Sequence, residues 1–362
     1  MTYVVTLIPG DGIGPEVIRA ATKVLAASGV ALDWDIHDVG IPALEKGQVP
    51  LPEEVLASVR SNGVALKGPA STPAGSRGFP SVNIGLRRAL DLYGQARRCR
   101  TRPGIASPFP GTDFVVIRET TEDLYVGIEF PAGSEGAAAV VRAAEDYGRG
   151  SIPPSAGLSI KFVTEAAVRR ILHFAFSYTL RHGRKKLTVV HKATVMRCTD
   201  GMFLEVAKEL APSYPDVNLE VLQIDNLCGQ LVRRPQDFDV FVSGIQYGDI
   251  LSDLGAGLVG GIGTVPGANY GPGVAMFEPA HGTVPHRAGK DEADPMAAIL
   301  CGALLLDYLG ETDAAERVEG ALNAVVAKGD SVTYDLRASD DDRPSVPTTV
   351  MTDAIISEMQ RS

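Results

Sequence analysis

The chain has 362 residues, enough for about two domains of ordinary size, each able to bury a hydrophobic core without disulfides or structural zinc. Hydrophobic residues make up 45% of the chain and charged residues 22%, a composition that excludes disorder as the main state. The net charge of −10 argues against a general nucleic-acid or anionic-membrane surface, so any bound anion must be held by a local basic cluster.

The cysteines and the first residues of the chain indicate a cellular location. Cys99, Cys198, Cys228 and Cys301 form no C-x-x-C pair and no metal-type spacing with histidine, which is typical of buried thiols in a reducing compartment. The first residues show no basic region followed by a cleavage site, and the longest apolar stretch is shorter than the ~20 residues of a membrane span. We therefore expect a cytoplasmic protein without a membrane partner.

Strand-like and helix-like segments alternate along the chain, which predicts an α/β architecture. The β-branched run Tyr3 to Ile8 predicts a strand, and the apolar spacing after Pro15 predicts a helix that ends at Gly29. Between them, the glycines follow a G-x-G-x-G pattern, which is only a weak indication of a Rossmann turn. Further predicted elements are a helix after Ser81, a helix over Thr164 to His182, and strands over Phe114 to Ile117, Leu187 to Val190 and Leu219 to Ile224.

Two segments are expected to be irregular. Pro131 to Pro154 is rich in small residues and glycines and predicts an arm or an interdomain excursion. Gly255 to Gly273 contains eight glycines in nineteen residues, which indicates a functional loop with sharp turns or close backbone contacts.

A basic cluster is the first sign of a ligand site. With Ser81 as the helix N-cap, Asn83 and Arg87 lie four residues apart on one face, near a helix N-terminus that favours anions. Arg97 and Arg118 can join them if the chain turns after the helix. Each arginine alone would be interpreted as solvated or paired with a surface acid. Together with Ser81 and Asn83 they predict a polycarboxylate site, because arginine binds carboxylates bidentately.

An acidic cluster predicts a metal. Asp249 and Asp253 are four residues apart on a predicted helix, where their like charges are unfavourable unless a cation lies between them. With Asp225 at a strand end, they offer three oxygen ligands of the kind that Mg²⁺ or Mn²⁺ prefers. For the pair alone, an N-cap and a surface acid are an equally good interpretation.

Two further side chains could move protons. Lys192 stands at the carboxyl end of a predicted strand, where open α/β sheets place their sites, and could act as a general base. A solvated lysine is the alternative. Tyr125 is either a proton donor or a buried phenol.

Five segments carry a resemblance, and they are Ile8-Pro-Gly-Asp-Gly-Ile-Gly-Pro-Glu-Val17, Arg118-Glu-Thr-Thr-Glu-Asp-Leu-Tyr125, Val190-His-Lys192, Tyr247-Gly-Asp-Ile-Leu-Ser-Asp253 and Glu278-Pro-Ala-His281-Gly-Thr283. Together they resemble the isocitrate and isopropylmalate dehydrogenase family, in family order and over essentially the whole chain. The resemblance implies a metal-dependent oxidative decarboxylase of a 2-hydroxy acid that carries a 3-carboxylate.

The resemblance also implies an architecture that is not a Rossmann fold. Two α/β domains share a mixed sheet: a large domain from both chain ends (residues 1–98 and 249–362) and a small domain (99–248) with a dimerisation arm around 131–157. It further implies a homodimer with shared active sites. In each site, Lys192 and Asp225 come from the neighbouring copy.

The chemistry implied by the resemblance uses all of these groups. Mg²⁺ or Mn²⁺ on Asp249, Asp253 and the partner's Asp225 chelates the C1 carboxylate and the C2 hydroxyl, and the partner's Lys192 takes the hydroxyl proton while a hydride leaves for the nicotinamide. Carbon dioxide then leaves, and Tyr125 protonates C3. Arg87, Arg97 and Arg118 hold the carboxylates.

Ser81 and Asn83 decide the expected substrate, because isocitrate-type members have such polar residues where isopropylmalate-type members have apolar ones. We therefore expect isocitrate, converted to 2-oxoglutarate and CO₂. Thr194 stands where the family usually has asparagine, and Ile245-Gln246 where it has Asn-Leu. Homoisocitrate, isopropylmalate or a phosphonate analogue of isocitrate remain alternative substrates, and a non-catalytic regulatory subunit is an alternative of another class.

The segment His281 to Gly289 resembles the family's adenosine-binding loop. His286 stands where NAD-using members have aspartate, and Arg287 and Tyr334 offer contacts to a 2′-phosphate, so NADP is expected, with NAD as the alternative. Asp294 replaces an asparagine of the adenine pocket, or caps the following helix. The residues expected to bind the cofactor are Thr72, Asn269, His281, Gly282, Thr283, His286, Arg287, Asp294 and Tyr334.

Overall fold

A mixed sheet of ten strands organises this computed structural model, which describes residues 2–71, 79–337 and 342–361. In chain order the strands are β1 (Tyr3–Ile8), β2 (Leu32–Ile36), β3 (Val64–Lys67), β4 (Gly94–Arg100), β5 (Asp113–Glu119), β6 (Glu129–Phe130), β7 (Leu158–Ser159), β8 (Lys186–His191), β9 (Asn218–Gln223), β10 (Val240–Ser243), β11 (Pro266–Gly271) and β12 (Val274–Pro279). The order across the sheet is β2-β1-β3-β12-β11-β4-β5-β10-β8-β9, and β6 and β7 form a separate antiparallel pair. Strands from both chain ends therefore form one half of the sheet, and strands from the middle form the other.

Helices cover both faces of this sheet. They are α1 (Gly14–Ala27), α2 (Ile41–Glu45), α3 (Glu53–Asn62), α4 (Val82–Ala89), α5 (Glu135–Asp146), α6 (Glu165–Arg181), α7 (Asp200–Leu210), α8 (Ile224–Leu231), α9 (Ile245–Val259), α10 (Met296–Tyr308), α11 (Thr312–Lys328) and α12 (Thr348–Met359). Alternate residues of a strand point to opposite faces. In β3, Val64 and Leu66 pack with α1, α10, α11 and α12, whereas Ala65 packs with α3 and α4. The same alternation in β5 separates α6 and α7 from α8 and α9.

The predicted α/β class and several predicted elements are confirmed. β1 has the predicted bounds, and the helix predicted after Pro15 is α1, which ends at Ala27. Thr164 is the N-cap of α6, where its hydroxyl accepts from the Ala167 N–H at 3.2 Å. β9 ends at Gln223, one residue earlier than predicted.

The glycine-rich segment from Gly255 to Gly273 is not one irregular loop, so that prediction is wrong. It begins inside α9 and contains β11, a strand in the middle of the sheet. A Cβ at Gly255 would lie 2.8 Å from both Cys99 Sγ and Phe114 Cζ. This glycine therefore allows close packing of a helix on a sheet rather than a turn.

The segment from Pro131 to Pro154 also contains a regular element, α5. Ser134 caps this helix by accepting from the Ala137 N–H at 3.2 Å. The chain leaves through β6 and returns through β7, so residues 131–157 lie between two paired strands. Only Ala137 and Val141 of α5 are buried. The exposed excursion is the segment expected to act as a dimerisation arm, and that role stays a prediction.

The expected domain boundaries fall within regular elements. The boundary after residue 98 lies in β4, and the boundary before residue 249 lies in α9. The division into residues 1–98 with 249–362 and residues 99–248 therefore crosses the shared sheet, and it stays a prediction.

Within the described ranges, no helix combines the length and the apolarity needed to cross a membrane. All four cysteines are thiols. Cys99 and Cys301 are buried as predicted and Cys228 is partly buried, but Cys198 is exposed because it lies in the loop between β8 and α7.

We expect Gly255→Ala to lower the free energy of unfolding by about 1–3 kcal/mol, because the added methyl group overpacks the contact with Cys99 and Phe114. Gly257→Ala is the matched control in the same helix: its Cβ would meet open space, so it should raise stability by about 0.5–1 kcal/mol. Urea denaturation measures both changes. Equal effects of the two substitutions would contradict the packing role of Gly255.

Candidate active site

Helix α9 presents two carboxylates to the strands beside it. Asp249 Oδ1 accepts a hydrogen bond from Arg118 Nη1. One helical turn later, Asp253 Oδ1 accepts from Arg97 Nη1 at 2.9 Å, and the same nitrogen reaches Ser252 Oγ at 2.8 Å. The two acids predicted from their four-residue spacing are thus on one helix, and each is paired with an arginine.

Strand pairing brings the arginines together. β4 and β5 are antiparallel with Gln95 opposite Arg118, which places Arg97, two residues from Gln95, on the same face. Gly248 lets α9 lie directly over β5, because a Cβ there would be 2.4 Å from Arg118 Cβ. Burial, together with the positive charges of Arg97 and Arg87, lowers the pKa of Arg118 to about 9. Such a concentration of positive charge favours a polyanionic ligand.

Tyr125 lies in the short 3₁₀ turn that follows β5, and its hydroxyl donates to Asp249 Oδ2 at 3.1 Å. Burial and the Asp249 carboxylate raise the pKa of Tyr125, so the phenol keeps its proton. Burial alone would raise the pKa of Asp249, but the Arg118 guanidinium outweighs it and holds this pKa below its usual range. Asp249 is therefore ionised beside a protonated phenol.

Beneath these groups lies a buried charge network. Glu278 Oε1 accepts from Arg87 Nη2 at 3.0 Å, and its Oε2 accepts from Lys67 Nζ at 2.9 Å. The Lys67 side chain is completely buried. Burial opposes ionisation of Glu278, but the charges of Lys67 and Arg87 hold its pKa well below the usual range. This carboxylate fixes the position of Arg87 at the end of α4.

Asn269 belongs to the same network rather than to an open cofactor site. Its Oδ1 accepts from Gln95 Nε2 at 2.9 Å and from Arg87 Nε at 3.3 Å. Its Nδ2 donates to Met276 O at 3.1 Å and to Glu278 Oε1 at 3.0 Å. Asn269 is completely buried, and its amide oxygen and nitrogen are both used within the chain. It therefore supports Arg87 and has no exposed atom for contact with a coenzyme.

The N-terminus of α4 has the predicted cap. Ser81 Oγ accepts from the Ile84 N–H at 3.4 Å, which leaves the hydroxyl proton free to donate. Asn83 Oδ1 is buried without a hydrogen-bond partner among the described residues. Both polar groups predicted for the third carboxylate are therefore available.

Lys192 and Asp225 form a separate pair at the edge of the sheet. Lys192 Nζ donates to Asp225 Oδ1 at 2.6 Å, and this hydrogen bond lowers the pKa of Asp225. Thr194 Oγ1 donates to Gln223 Oε1 at 2.9 Å. The backbone N–H of Lys192 is anchored by Asp200 Oδ2 at 2.7 Å.

One chain does not assemble the three predicted metal ligands. β9, which leads into Asp225, lies three strand spacings from β5, roughly 14 Å. In the described ranges, no group of three histidine, cysteine or acidic side chains is placed to hold a metal ion. Asp249 and Asp253 offer the hard oxygen donors that suit Mg²⁺ or Mn²⁺, but a complete site needs oxygen donors from elsewhere.

The predicted coenzyme loop is held against the first turn of the chain. Gly12 has φ 59°, and a Cβ there would lie 2.0 Å from Thr283 O, so the two segments meet only because this residue is glycine. Ser71 Oγ donates to Thr283 Oγ1 at 3.0 Å. Gly282 is exposed, and Thr72, also predicted to bind the coenzyme, lies outside the described residues.

Two of the groups expected to bind a 2′-phosphate, Arg287 and Tyr334, contact each other, and Arg287 also pairs with an acid. Arg287 Nη1 donates to Glu292 Oε2 at 2.9 Å, and its guanidinium lies 3.9 Å from the centre of the Tyr334 ring. His286 is exposed. The charge of Arg287 is therefore already balanced by an acid five residues later in the chain.

The family model described as isocitrate/isopropylmalate dehydrogenase matches residues 4–355. The chain belongs to this family. It is 41% identical over 335 residues to the mitochondrial NAD isocitrate dehydrogenase catalytic subunit 5 of Arabidopsis thaliana, which covers 92% of this chain and 84% of that protein. It is 39% identical over 361 residues to the mitochondrial NAD isocitrate dehydrogenase subunit 2 of Schizosaccharomyces pombe, covering 99% and 88%. The crystal structure of isocitrate dehydrogenase from Methylococcus capsulatus superposes with a TM-score of 0.89 at 42% identity, covering 99% and 100%.

Membership confirms that the chain is an NAD(P)-dependent β-decarboxylating dehydrogenase with the fold of this family, not a Rossmann fold. Three narrower predictions, of the location, the coenzyme and the oligomer, are not confirmed. The cytoplasmic location is wrong, because the relatives are mitochondrial. NADP is not supported, because both are NAD enzymes, and a homodimer is not supported, because both are named as subunits.

The sequence analysis gave no role to Lys67 and Glu278, which support the site. Lys67 stands at the carboxyl end of β3, the same kind of position that drew attention to Lys192, and Glu278 opens one of the segments that carry the resemblance. Their pairing spans 211 positions of the chain, so no local pattern could reveal it.

We expect Glu278→Gln to lower the free energy of unfolding by about 3–5 kcal/mol, because it leaves the buried charge of Lys67 without its partner. The pKa of Glu278 is below its ordinary value of 4.5, so the stabilisation is complete above this value and is lost as the pH falls towards the lower folded pKa. The difference between wild type and variant should therefore shrink below pH 4.5.

The control is Glu53→Gln, which removes the exposed pair with Arg60 and should leave stability nearly unchanged at every pH. Urea denaturation across a pH series measures both variants. A difference between wild type and Glu278→Gln that grows in acid would contradict this assignment.

Proposed function

We propose that this chain catalyses the NAD-linked oxidative decarboxylation of isocitrate to 2-oxoglutarate and CO₂. The observation that carries the proposal is the convergence of Arg87, Arg97 and Arg118 beside Asp249 and Asp253. The Nε–H groups of Arg97 and Arg118 are buried without partners among the described residues, so each guanidinium keeps a donor for a ligand carboxylate. That the relatives named above are isocitrate dehydrogenases supports this substrate.

Ser81 and Asn83 favour a third carboxylate over an alkyl group. A buried Asn83 amide with an unpartnered oxygen would be costly against an isopropyl group, whereas a carboxylate pairs with its NH₂ group after rotation of the amide. Homoisocitrate and a phosphonate analogue satisfy the same donors and remain alternatives. Isopropylmalate does not satisfy them.

A divalent cation held by Asp249 and Asp253 would polarise the substrate hydroxyl and then the new ketone. The arginines hold the carboxylates and so fix the orientation of the substrate. Bound NAD would supply the acceptor for the hydride that leaves C2. A lysine amine in the role proposed for Lys192 accepts the hydroxyl proton while the hydride leaves C2. After CO₂ leaves C3, the protonated phenol of Tyr125, held by Asp249, supplies the proton to that carbon.

We further propose that Lys192 and Asp225 serve the site of a neighbouring subunit, either another copy of this chain or a related one. Within one chain, β8, which leads into Lys192, lies two strand spacings from β5, and β9, which leads into Asp225, lies three. The exposed excursion 131–157 is proposed to make the contact between subunits. The division into a domain of residues 1–98 and 249–362 and a domain of residues 99–248 is part of the same proposal.

NAD is proposed as the coenzyme. The two mitochondrial relatives named above are NAD enzymes, which supports this coenzyme. The pairing of Arg287 with Glu292 and its position over the Tyr334 ring are consistent with it, because a 2′-phosphate would have to compete with Glu292. The function is tested by supplying the purified chain with isocitrate, Mg²⁺ and either NAD or NADP, and then with homoisocitrate, isopropylmalate and the phosphonate analogue. A preference of about tenfold or more for another acid would overturn isocitrate as the substrate. Turnover by the chain alone would exclude a regulatory subunit that lacks catalysis.

We expect Asp249→Asn to abolish turnover without unfolding the protein, because a neutral amide is a weaker ligand for a hard divalent cation and has only one oxygen to accept from Arg118 or Tyr125. Initial rates at saturating Mg²⁺ and circular dichroism measure the two effects. Asp353→Asn, on the exposed side of α12, is the control and should keep full activity. Wild-type rates for Asp249→Asn, or for the wild type in excess chelator, would contradict the proposal.

Mixing two inactive variants tests the shared site. Lys192→Met and Asp249→Asn should each be inactive, but a dimer that contains one of each has one site with both intact residues. An equal mixture, unfolded and refolded together, should therefore recover about a quarter of wild-type activity. No recovery, in a chain that is active alone, would show that Lys192 acts in its own subunit or not at all.

A further inference from the structure

A cavity of about 410 Å³ lies on the face of the sheet opposite the candidate active site. On β4, Gln95 and Arg97 belong to the candidate active site, and alternate residues of a strand point to opposite faces. Ala96, which lies between them, and Ala268, its neighbour on β11, line the cavity instead. We call this space, lined by residues of β4, β11, α6, α10 and α11, the back cavity.

The side of the back cavity formed by α6 and the end of β11 is aromatic. The ring centroid of Phe174 lies 5.9 Å from that of Tyr178, one helical turn later, and 5.2 Å from that of Tyr270. Burial raises the pKa of both tyrosines, so their hydroxyl groups keep their protons. Neither hydroxyl donates to another described residue. Aromatic faces with unused donors suit a flat ligand that carries an acceptor.

A cluster of arginines with too few acids adjoins this cavity. Four arginines and three acids are linked by ion pairs, which leaves one positive charge in excess. They are Arg98, Arg100, Arg102 and Arg184 with Asp113, Asp239 and Glu319. Of these, Arg98, Arg102 and Glu319 line the back cavity. An excess of buried positive charge favours a ligand with a negative charge.

Arg102 shows the deficit most directly. Its side chain is 4% exposed, and both hydrogen bonds of its guanidinium group, to Glu319 and Asn323, use Nη1. Its Nε is buried without a partner among the described residues. Burial and, more weakly, the charges of Arg100 and Arg98 lower the pKa of Arg102, although Glu319 opposes them. Because buried donors are almost always hydrogen-bonded, this one indicates a ligand that brings an acceptor.

The other charged groups of the lining lie at its rim. Arg181, Asp307 and Glu316 are exposed, and Asp307 Oδ1 accepts from Thr312 Oγ1 at 3.0 Å. Burial lowers the pKa of His182, so its ring is neutral. Solvent and salt screen exposed charges more than buried ones. The buried arginines therefore determine the sign of the ligand.

We propose that the back cavity binds a planar aromatic monocarboxylate. Its ring packs against Phe174 and Tyr270, and its carboxylate accepts from Arg98 and Arg102, which supplies the negative charge that the arginine cluster lacks. Arg98 binds Asp113 through Nε and Nη2 and keeps Nη1 for this contact. The cavity is within the range of small-molecule sites, roughly 300–1,000 Å³. This site is additional to the proposed isocitrate site and does not depend on it.

The charge of the ligand is tested by calorimetry with 2-naphthoate and with 2-naphthamide, which has the same shape but no charge. Wild type should bind 2-naphthoate about tenfold or more tightly than the amide, and Arg98→Gln should reduce this preference to about threefold or less. Arg169→Gln is the control, because Arg169 lies on α6 outside the cavity and pairs with Glu165 and Glu209. Equal binding of the two probes to the wild type, or no binding of either, would overturn the proposal.

The location is tested by filling the cavity. Ala303 lies in its lining on α10 and is 5% exposed, so Ala303→Leu should weaken the binding of both probes by about tenfold or more. Ala26→Leu, at an exposed position of α1, is the matched control and should bind them as the wild type does. Circular dichroism checks that each variant is folded. Unchanged binding to a folded Ala303→Leu variant would place the probes elsewhere and overturn the proposal. If this variant does not fold, Arg98→Gln still decides.

Competition separates the back cavity from the candidate active site, whose arginines could also attract a carboxylate. Isocitrate with Mg²⁺, both in excess, should leave the Kd of 2-naphthoate within about twofold of its value in their absence. Displacement of 2-naphthoate by isocitrate would place it at the candidate active site and overturn the proposal. If the chain does not oxidise isocitrate but the charge and filling tests succeed, the proposed function fails and the back cavity stands as a ligand site.

Discussion

The site depends on one electrostatic constraint: each of its buried cations must contact a carboxylate of the chain before any ligand binds. Glu278 pairs with both Lys67 and Arg87 at the centre of the sheet, and Asp249 pairs with Arg118 above it. A buried charge without a partner costs several kcal/mol, a large fraction of the stability of a typical domain. The fold and the proposed polycarboxylate site are therefore parts of one network, and the strand register of β4 and β5 brings its two arginines together.

This constraint links cation and substrate. The carboxylates proposed to hold a cation, Asp249 and Asp253, are the same groups that neutralise Arg118 and Arg97. A cation that arrives alone must share these acids with two guanidinium groups, which is unfavourable at such short range. A polycarboxylate that arrives with it provides new partners for the arginines. The free energies of binding are thus coupled through charges that exchange partners, with no change of fold.

The sequence predicted the parts of the site that depend on local spacing. Asp249 and Asp253 were placed on one helix because the helical period is short enough to be read within a few residues. The pairing of Arg97 with Asp253 depends on contacts 156 positions apart, and no local pattern contains them. The glycine-rich segment was misinterpreted because composition does not distinguish a glycine that turns the chain from one, such as Gly255, that packs a helix onto a strand.

The predicted coenzyme loop, residues 281–289, is a second place where the sequence did not reveal which charged groups are paired. His286 and Arg287 favoured NADP because a sequence shows which donors are present but not which are already paired. In the structure, Arg287 forms an ion pair with Glu292, and the Tyr334 ring lies against its guanidinium group. Asp294 is the converse case: its residue type indicates an anion, but burial and the Asp335 carboxylate raise its pKa well above the ordinary value. The charge that these residues offer to a coenzyme therefore depends on which of them are already paired within the chain. That pairing is set by the fold and not by the residue types alone.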